Sequence, residues 1–137
     1  MSNDCLFCNI IAKEIPSTPI YEDEQVYAFL DIKPVNPGHT LVVPKKHSPD
    51  LPSTDPLVLP ALILAVQNIA QAMRVGLGIE GMNITENDGP VAGQLIPHMH
   101  FHLMPRYAHD GFDLWHGKPY GSQEEAIAVA EKIRKGL

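Results

Sequence analysis

The chain has 137 residues, the usual size of one domain and long enough to bury a core without disulfides. Ten basic against sixteen acidic side chains give a formal charge of −6, which excludes broad attraction to a nucleic-acid polymer, so any phosphate ligand must be held by directed donors. Met1-Ser2-Asn3-Asp4 lacks a basic start, and the most apolar segment, Leu57 to Val66, contains Pro60 and is about ten residues, so the expectation is a soluble, cytoplasmic protein with no membrane partner.

In chain order, a short helix is predicted over residues 7–13, ended by Pro16. Strands at 20–22 and 26–31 flank the polar turn Asp23-Glu24, and Pro34, Pro37 and Gly38 break the chain before a third strand, Thr40-Leu41-Val42-Val43. The proline-containing connection 49–56 leads into a long helix from Pro56 or Pro60 to Val75. There Leu62, Val66, Ile69 and Met73 recur at spacings of four, three and four, and Gly76 and Gly78 supply the stop. Met82 to Glu86 reads as a fourth strand, 87–93 as a loop and the segment 98–106 as a fifth strand. A last helix starts at Ser122, spaced from Glu125 as in a capping box. No internal repeat interrupts this order. The pattern is one α+β domain over 1–137, with about five mainly antiparallel strands, one long helix and two shorter ones.

The densest chemistry lies in His98-Met99-His100-Phe101-His102-Leu103-Met104-Pro105-Arg106. Side chains alternate faces along a strand, so three imidazoles line one side while Met99, Phe101 and Leu103 pack on the other. Imidazole serves as nucleophile, acid or base near neutral pH, or as a metal ligand. His98 and His102 stand about 13 Å apart in a strand, too far to share one metal with bonds of about 2 Å, so the three rings are expected to divide their roles. The two cysteines form a C-x-x-C pair, Cys5 and Cys8, which in a reducing compartment suggests metal binding or redox chemistry rather than a structural disulfide.

These residues, with Cys5-Leu6-Phe7-Cys8-Asn9-Ile10-Ile11, Glu14-Ile15-Pro16, Ala28-Phe29-Leu30-Asp31-Ile32, Pro37-Gly38-His39-Thr40-Leu41-Val42-Val43-Pro44-Lys45-Lys46-His47 and Gly93-Gln94, give a chain that resembles the histidine triad (HIT) superfamily. The match runs from about residue 4 to about 107 in the family's order; the tail 108–137, with its helix, matches least. The resemblance implies a HIT-like fold, a homodimer formed by extending the sheet, and an enzyme acting at the α-phosphate of a purine nucleotide derivative, such as an adenosine phosphoramidate or a dinucleoside polyphosphate. In that reading His100 is the nucleophile that forms a nucleotidyl-histidine intermediate. His102 is the phosphate donor or leaving-group acid, and Gln94, Asn87 and the backbone near Gly93 contact phosphate; Asn87 and Gly93 also read as ordinary turn residues.

For the nucleoside, the same resemblance implies Asp31 as acceptor for the ribose hydroxyls, with Leu6, Phe7, Ile10, Phe29 and Ile32 around the base, although each apolar member reads equally as core. His39 matches a histidine behind the triad, either orienting a catalytic ring or serving as a buried structural group. One helical turn between Cys5 and Cys8 lets two thiolates share a zinc, and the resemblance implies that His47 and His98 complete a closed, structural Cys2His2 site, one zinc per chain. A redox pair and two inert thiols are the other readings of that motif. Leu95 departs from the pattern of phosphoramidate-active members, which often carry serine there. The competing classes are a nucleotide-binding or partner-regulating module with little turnover, and a hydrolase whose triad holds a catalytic zinc.

Overall fold

In the computed structural model, which describes residues 4–137, three helices, α1 (Leu6–Ile11), α2 (Leu59–Leu77) and α3 (Gln123–Arg134), accompany five strands, β1 (Pro19–Glu22), β2 (Val26–Leu30), β3 (Thr40–Pro44), β4 (Gly81–Glu86) and β5 (Phe101–Arg106). The Met1–Asn3 stretch read above for targeting features lies outside the described residues. The strands form one sheet in the order β1-β2-β3-β5-β4, and every pairing is antiparallel.

β2 and β3 lack polar alternation because both of their faces are covered. Val26, Ala28 and Val42 face α2 and join Leu62, Ala65, Val66, Ile69, Met73, Met99 and Leu103 in one core. Tyr27, Phe29, Leu41 and Val43 face the other way and pack with Cys5, Phe7 and Ile10 from the α1 end. Leu62 is fully enclosed, so Leu62→Ala costs about 2–5 kcal/mol from lost burial and the cavity left behind.

Pro60 sits in the first turn of α2, where its missing N–H removes nothing from the helical ladder. The helix runs through Gly76, contrary to the expected stop, and ends where Gly78 adopts a left-handed conformation. With the preceding 3-10 turn, Pro56–Leu77 reaches 22 residues and contains an 18-residue stretch of mean hydropathy 1.6, long and apolar enough by length and composition to cross a membrane. That corrects the ten-residue reading, which stopped at Gln67 because the polar residues of the outer face interrupt the run. The inward stripe Leu62, Ala65, Val66, Ile69 and Met73 lies in the sheet core.

α1 is shorter than predicted because Lys13 turns left-handed (φ 64°) and the Asn9 carbonyl accepts from Glu14 and Ile15. At the other end Ser122 caps α3 by accepting from Glu125 N at 3.1 Å, while Glu125 accepts from Gly121 N rather than from Ser122. Among the described residues, α3 contributes none that is buried.

Candidate active site and metal-binding cluster

β5 begins only at Phe101, so His98 and His100 precede the ladder instead of lying within it. The reason is local: Met99 N donates to Ser48 O at 2.8 Å, and the His98 carbonyl is taken by the His100 ring. The alternation nevertheless persists. Met99 and Leu103 enter the α2 core, with Phe101 packed against it, while the three rings turn to the α1 face. That second face is not open, since Phe7 stands edge-on to His98 and His100 with centroids 5.9 and 5.0 Å away.

Backbone groups of one chemical sense fix the tautomer of each ring. A carbonyl can only accept, so His98 Nε2–H donates to Pro44 O at 2.7 Å and leaves Nδ1 as a lone pair. His100 Nδ1–H donates to His98 O at 2.6 Å and leaves Nε2 as the free lone pair. A backbone N–H can only donate, so Val35 N–H fixes His39 Nδ1 as an acceptor at 3.1 Å. The proton of neutral His39 is therefore on Nε2, which donates to His102 Nδ1 at 2.9 Å, and His102 carries its own proton on Nε2. His100 and His102 face one another with centroids 4.8 Å apart. The result is a nucleophilic lone pair beside an N–H donor.

Burial keeps these rings neutral. It lowers the His100 pKa against opposing contributions from its bond to His98 O and from Asp31. His102 is pushed down to about 4, by burial and then by the neighbouring His100 and His39. In the free protein His102 is thus a neutral donor rather than an imidazolium. His39 is lowered chiefly by burial, with Asp31 opposing. Asp31 lies just past β2, its Oδ1 accepting Lys33 N at 2.8 Å and its Oδ2 3.8 Å from His39 Nε2.

The lone pair of His98 looks into a different cluster. Its Nδ1 lies 3.4 Å from Cys5 Sγ, 3.6 Å from Cys8 Sγ and 3.2 Å from His47 Nδ1, and His47 Nδ1 lies 3.5 Å from Cys8 Sγ. Tetrahedral zinc with ordinary bond lengths sets sulfur and nitrogen about 3.6 Å apart and two nitrogens about 3.3 Å apart. The four side chains can hold a metal ion. Burial, followed by the Cys5 sulfur beside it, pushes the Cys8 thiol up to about 11, so a cation is what would keep that sulfur a thiolate. Asp31, His39 and His102 also converge closely enough to ligate. Their hydrogen bonding opposes it, because a metal on His39 Nε2 would need the proton on Nδ1, against the Val35 N–H.

Beside these two clusters and this fold stands a family match, to the HIT domain over residues 12–109. The chain belongs to the HIT family. An uncharacterized HIT-like protein of Methanocaldococcus jannaschii is 50% identical over 107 residues, 78% of this chain and 82% of that one. Adenylylsulfatase HINT3 of Arabidopsis thaliana is 40% identical over 110 residues, 80% of this chain and 56% of that protein. Among solved structures, a HIT family member from Bacillus subtilis superposes with a TM-score of 0.92 at 40% identity, covering 98% of both chains. A zinc-bound histidine triad family protein from Mycobacterium smegmatis matches with a TM-score of 0.77 at 34% identity over the whole of both chains.

The remaining HIT residues singled out in the sequence fall into groups. Phe7, Ile10 and Phe29 are enclosed in the α1-side core, whereas Ile32 is 92% exposed and Leu6 lies partly exposed on α1. Gln94 is buried and engaged with backbone: Nε2 donates to Pro49 O and Ile96 O, and Oε1 accepts from Gly89 N. It bolts the 89–94 turn to the 49–54 connection. Gly93 is left-handed (φ 98°), and a side chain there would meet Asn87 Nδ2 at 3.6 Å. Leu95 is 89% exposed, so replacing it leaves no core cavity. Sequence reasoning missed Asn36 and Asp110, whose hydrogen bonds reach across 74 residues. Their only sequence signal is the i, i+4 spacing of Arg106 and Asp110.

Proposed function

We propose that this HIT protein is a nucleotide hydrolase or nucleotidyl transferase acting at the α-phosphate of a purine nucleotide derivative, an adenosine phosphoramidate or a dinucleoside polyphosphate. The observation that carries the reading is the His100 tautomer: Nδ1–H is spent on its own chain at 2.6 Å, so the reactive lone pair is on Nε2, beside the His102 donor. His100 Nε2 attacks phosphorus, and an N–P bond forms as the P–N or P–O bond to the leaving group breaks. His102 Nε2–H hydrogen-bonds the phosphoryl or departing group, and the leaving group takes its proton from water, since a neutral ring that gave up its one N–H would be left as an imidazolate. Water then cleaves the nucleotidyl-histidine and releases the nucleotide. Asp31 accepts from the ribose hydroxyls, while Ile32 and Leu6 offer exposed apolar surface to the base. The relative named as an adenylylsulfatase supports hydrolysis at an adenylyl group.

Cys5, Cys8, His47 and His98 are proposed to hold one structural zinc. With no open ligand position, zinc would supply stability by pinning the amino-terminal turn and the end of β3 to the triad segment. Rapid quenching of the full chain with a labelled adenosine phosphoramidate should trap acid-labile label on His100. His100→Ala should lower turnover about a thousandfold or more while nucleotide still binds. Binding without any label on the wild type would instead identify a nucleotide-binding module, and more than a tenth of wild-type rate in the variant would exclude His100 as nucleophile.

We further propose a homodimer through β4, an edge strand whose exposed Ile84 adjoins Ile63 and Leu64 on α2. Sedimentation should give twice the chain mass, and Ile84→Lys should halve it; a monomeric wild type would refute the pairing.

A further inference from the structure

The chain of hydrogen bonds that fixes His102 does not end at His39. Val35, which supplies the N–H to His39 Nδ1, precedes Asn36, whose carbonyl accepts from His39 N at 3.0 Å. Asn36 in turn is fastened by its side-chain amide, which donates to Pro105 O at 2.8 Å and to Asp110 Oδ2 at 3.0 Å. The loop that sets the His39 tautomer is therefore tied, through one side chain, to a carboxylate beyond the end of β5.

That carboxylate is held unusually well. Arg106 Nε donates to Asp110 Oδ2 at 2.8 Å and Arg106 Nη2 to Oδ1 at 3.0 Å, while Tyr107 N and Phe112 N donate at 3.1 and 3.2 Å. The guanidinium is fixed as well, with Nη1 on Asn83 Oδ1 at 2.7 Å and Nη2 on Phe112 O at 2.8 Å. His109 adopts a left-handed backbone (φ 64°), uncommon outside glycine though histidine is among the side chains that enter it most readily, and the turn it makes brings Asp110 back onto β5. Only 6% of the Asp110 side chain is exposed. These donors, Arg106 foremost, hold its carboxyl well below the usual carboxylate range, so it stays ionised as the acceptor throughout the neutral range.

We propose that Asp110, acting through Asn36, is a positioning residue that fixes the orientation and tautomer of His39, and so keeps the Nε2 proton of His102 directed at the substrate. The catalytic consequence rests on the function proposed above; the tautomers do not, and they can be read in the free protein. Without Asn36's side chain the 34–39 loop loses its tether to β5, the Val35 N–H moves off His39 Nδ1, and His39 is free to carry its proton on either nitrogen. His102 then loses the bond that defines its own proton.

The experiment is ¹⁵N imidazole spectroscopy of the purified full chain, with steady-state kinetics on an adenosine phosphoramidate. Wild type should display His39 and His102 as Nε2–H tautomers. Asn36→Ala should mix both tautomers and lower kcat by about tenfold with KM within about twofold, a size typical of removing a group that orients a functional histidine. Asp110→Asn, which keeps the shape and one acceptor, should produce the same change in smaller measure and serves if Asn36→Ala does not fold. Val66→Ala, a core variant on the α2 side, controls for general loosening and should leave both ring signals in place. Unchanged His39 and His102 tautomers in a folded Asn36 or Asp110 variant would overturn the proposal, as would an equal disturbance in Val66→Ala. A wild type that forms no nucleotidyl-histidine would defeat the proposed function alone, since the ring spectra are recorded without substrate.

Discussion

Two clusters of ligating side chains sit on the same face of this sheet, and they are built for different particles. Cys5, Cys8, His47 and His98 bring two sulfurs and two ring nitrogens together; Asp31, His39 and His102 bring together a carboxylate and two rings at similar separations. Backbone partners make the difference. Pro44 O takes the far proton of His98 and leaves Nδ1 bare toward the sulfurs, whereas Val35 N–H occupies His39 Nδ1 and obliges Nε2 to carry a proton toward His102. Proximity of ligating atoms is thus insufficient to define a metal site; the hydrogen bond on the opposite nitrogen decides whether a ring offers a lone pair or a proton.

The largest effect expected from breaking this contrast is on the first cluster. Cys8→Ser should lose about one equivalent of metal and lower Tm by about 10 °C or more, roughly 3 kcal/mol for a chain of this size, because a closed site contributes to folding. His39→Ala should leave metal content unchanged. Metal analysis and melting of the two variants check the division, and equal metal loss in both would erase it.

Much of this contrast is legible in the sequence, for a physical reason. Alternation of His98, His100 and His102 with Met99, Phe101 and Leu103 needs only strand-like backbone, so it survives although regular pairing starts at Phe101. The five strands, the α2 stripe and the Ser122 cap are likewise local patterns, and they form where periodicity and capping place them. Other features depend on contacts between segments remote in sequence. No local pattern indicates that the Gln94 amide reaches Pro49, or that the Asn36 amide crosses to Pro105 and Asp110.

A smaller effect sharpens the second cluster from its acidic side. Asp31→Asn should weaken ribonucleotides by about ten- to a hundredfold and 2′-deoxyribonucleotides less. Charge-assisted bonds from the diol are worth about 1.5–3 kcal/mol, and an amide accepts at only one atom. Titration calorimetry with both nucleotide types measures it, and equal losses would remove Asp31 from ribose recognition.

The smallest expected effect is on pH dependence. The His102 ring stays neutral in the folded protein down to about 4, whereas in the unfolded chain it protonates near 6.5. Between those values the unfolded state binds the extra proton, so stability is intact above about pH 6.5 and is lost as pH falls toward 4. The pKa values of His39 and His100 are lowered as well and act in the same sense. Melting temperature should therefore hold between pH 7 and 8 and decline below about 6.5, with a shallower decline in His102→Gln. Equal slopes for the two proteins would assign the acid sensitivity elsewhere.

The strict alternation of the 98–103 segment also restricts how it can change length. One inserted or deleted residue between Pro97 and Phe101 would exchange odd and even positions upstream of the ladder, sending His98 toward the α2 core and Met99 toward the cysteines. A change of two restores parity but moves His98 and His100 by about 7 Å, farther than any bond in either cluster can follow. The length of this stretch is therefore as tightly constrained as its histidines, whereas the 107–121 segment that joins β5 to α3 is under no such parity.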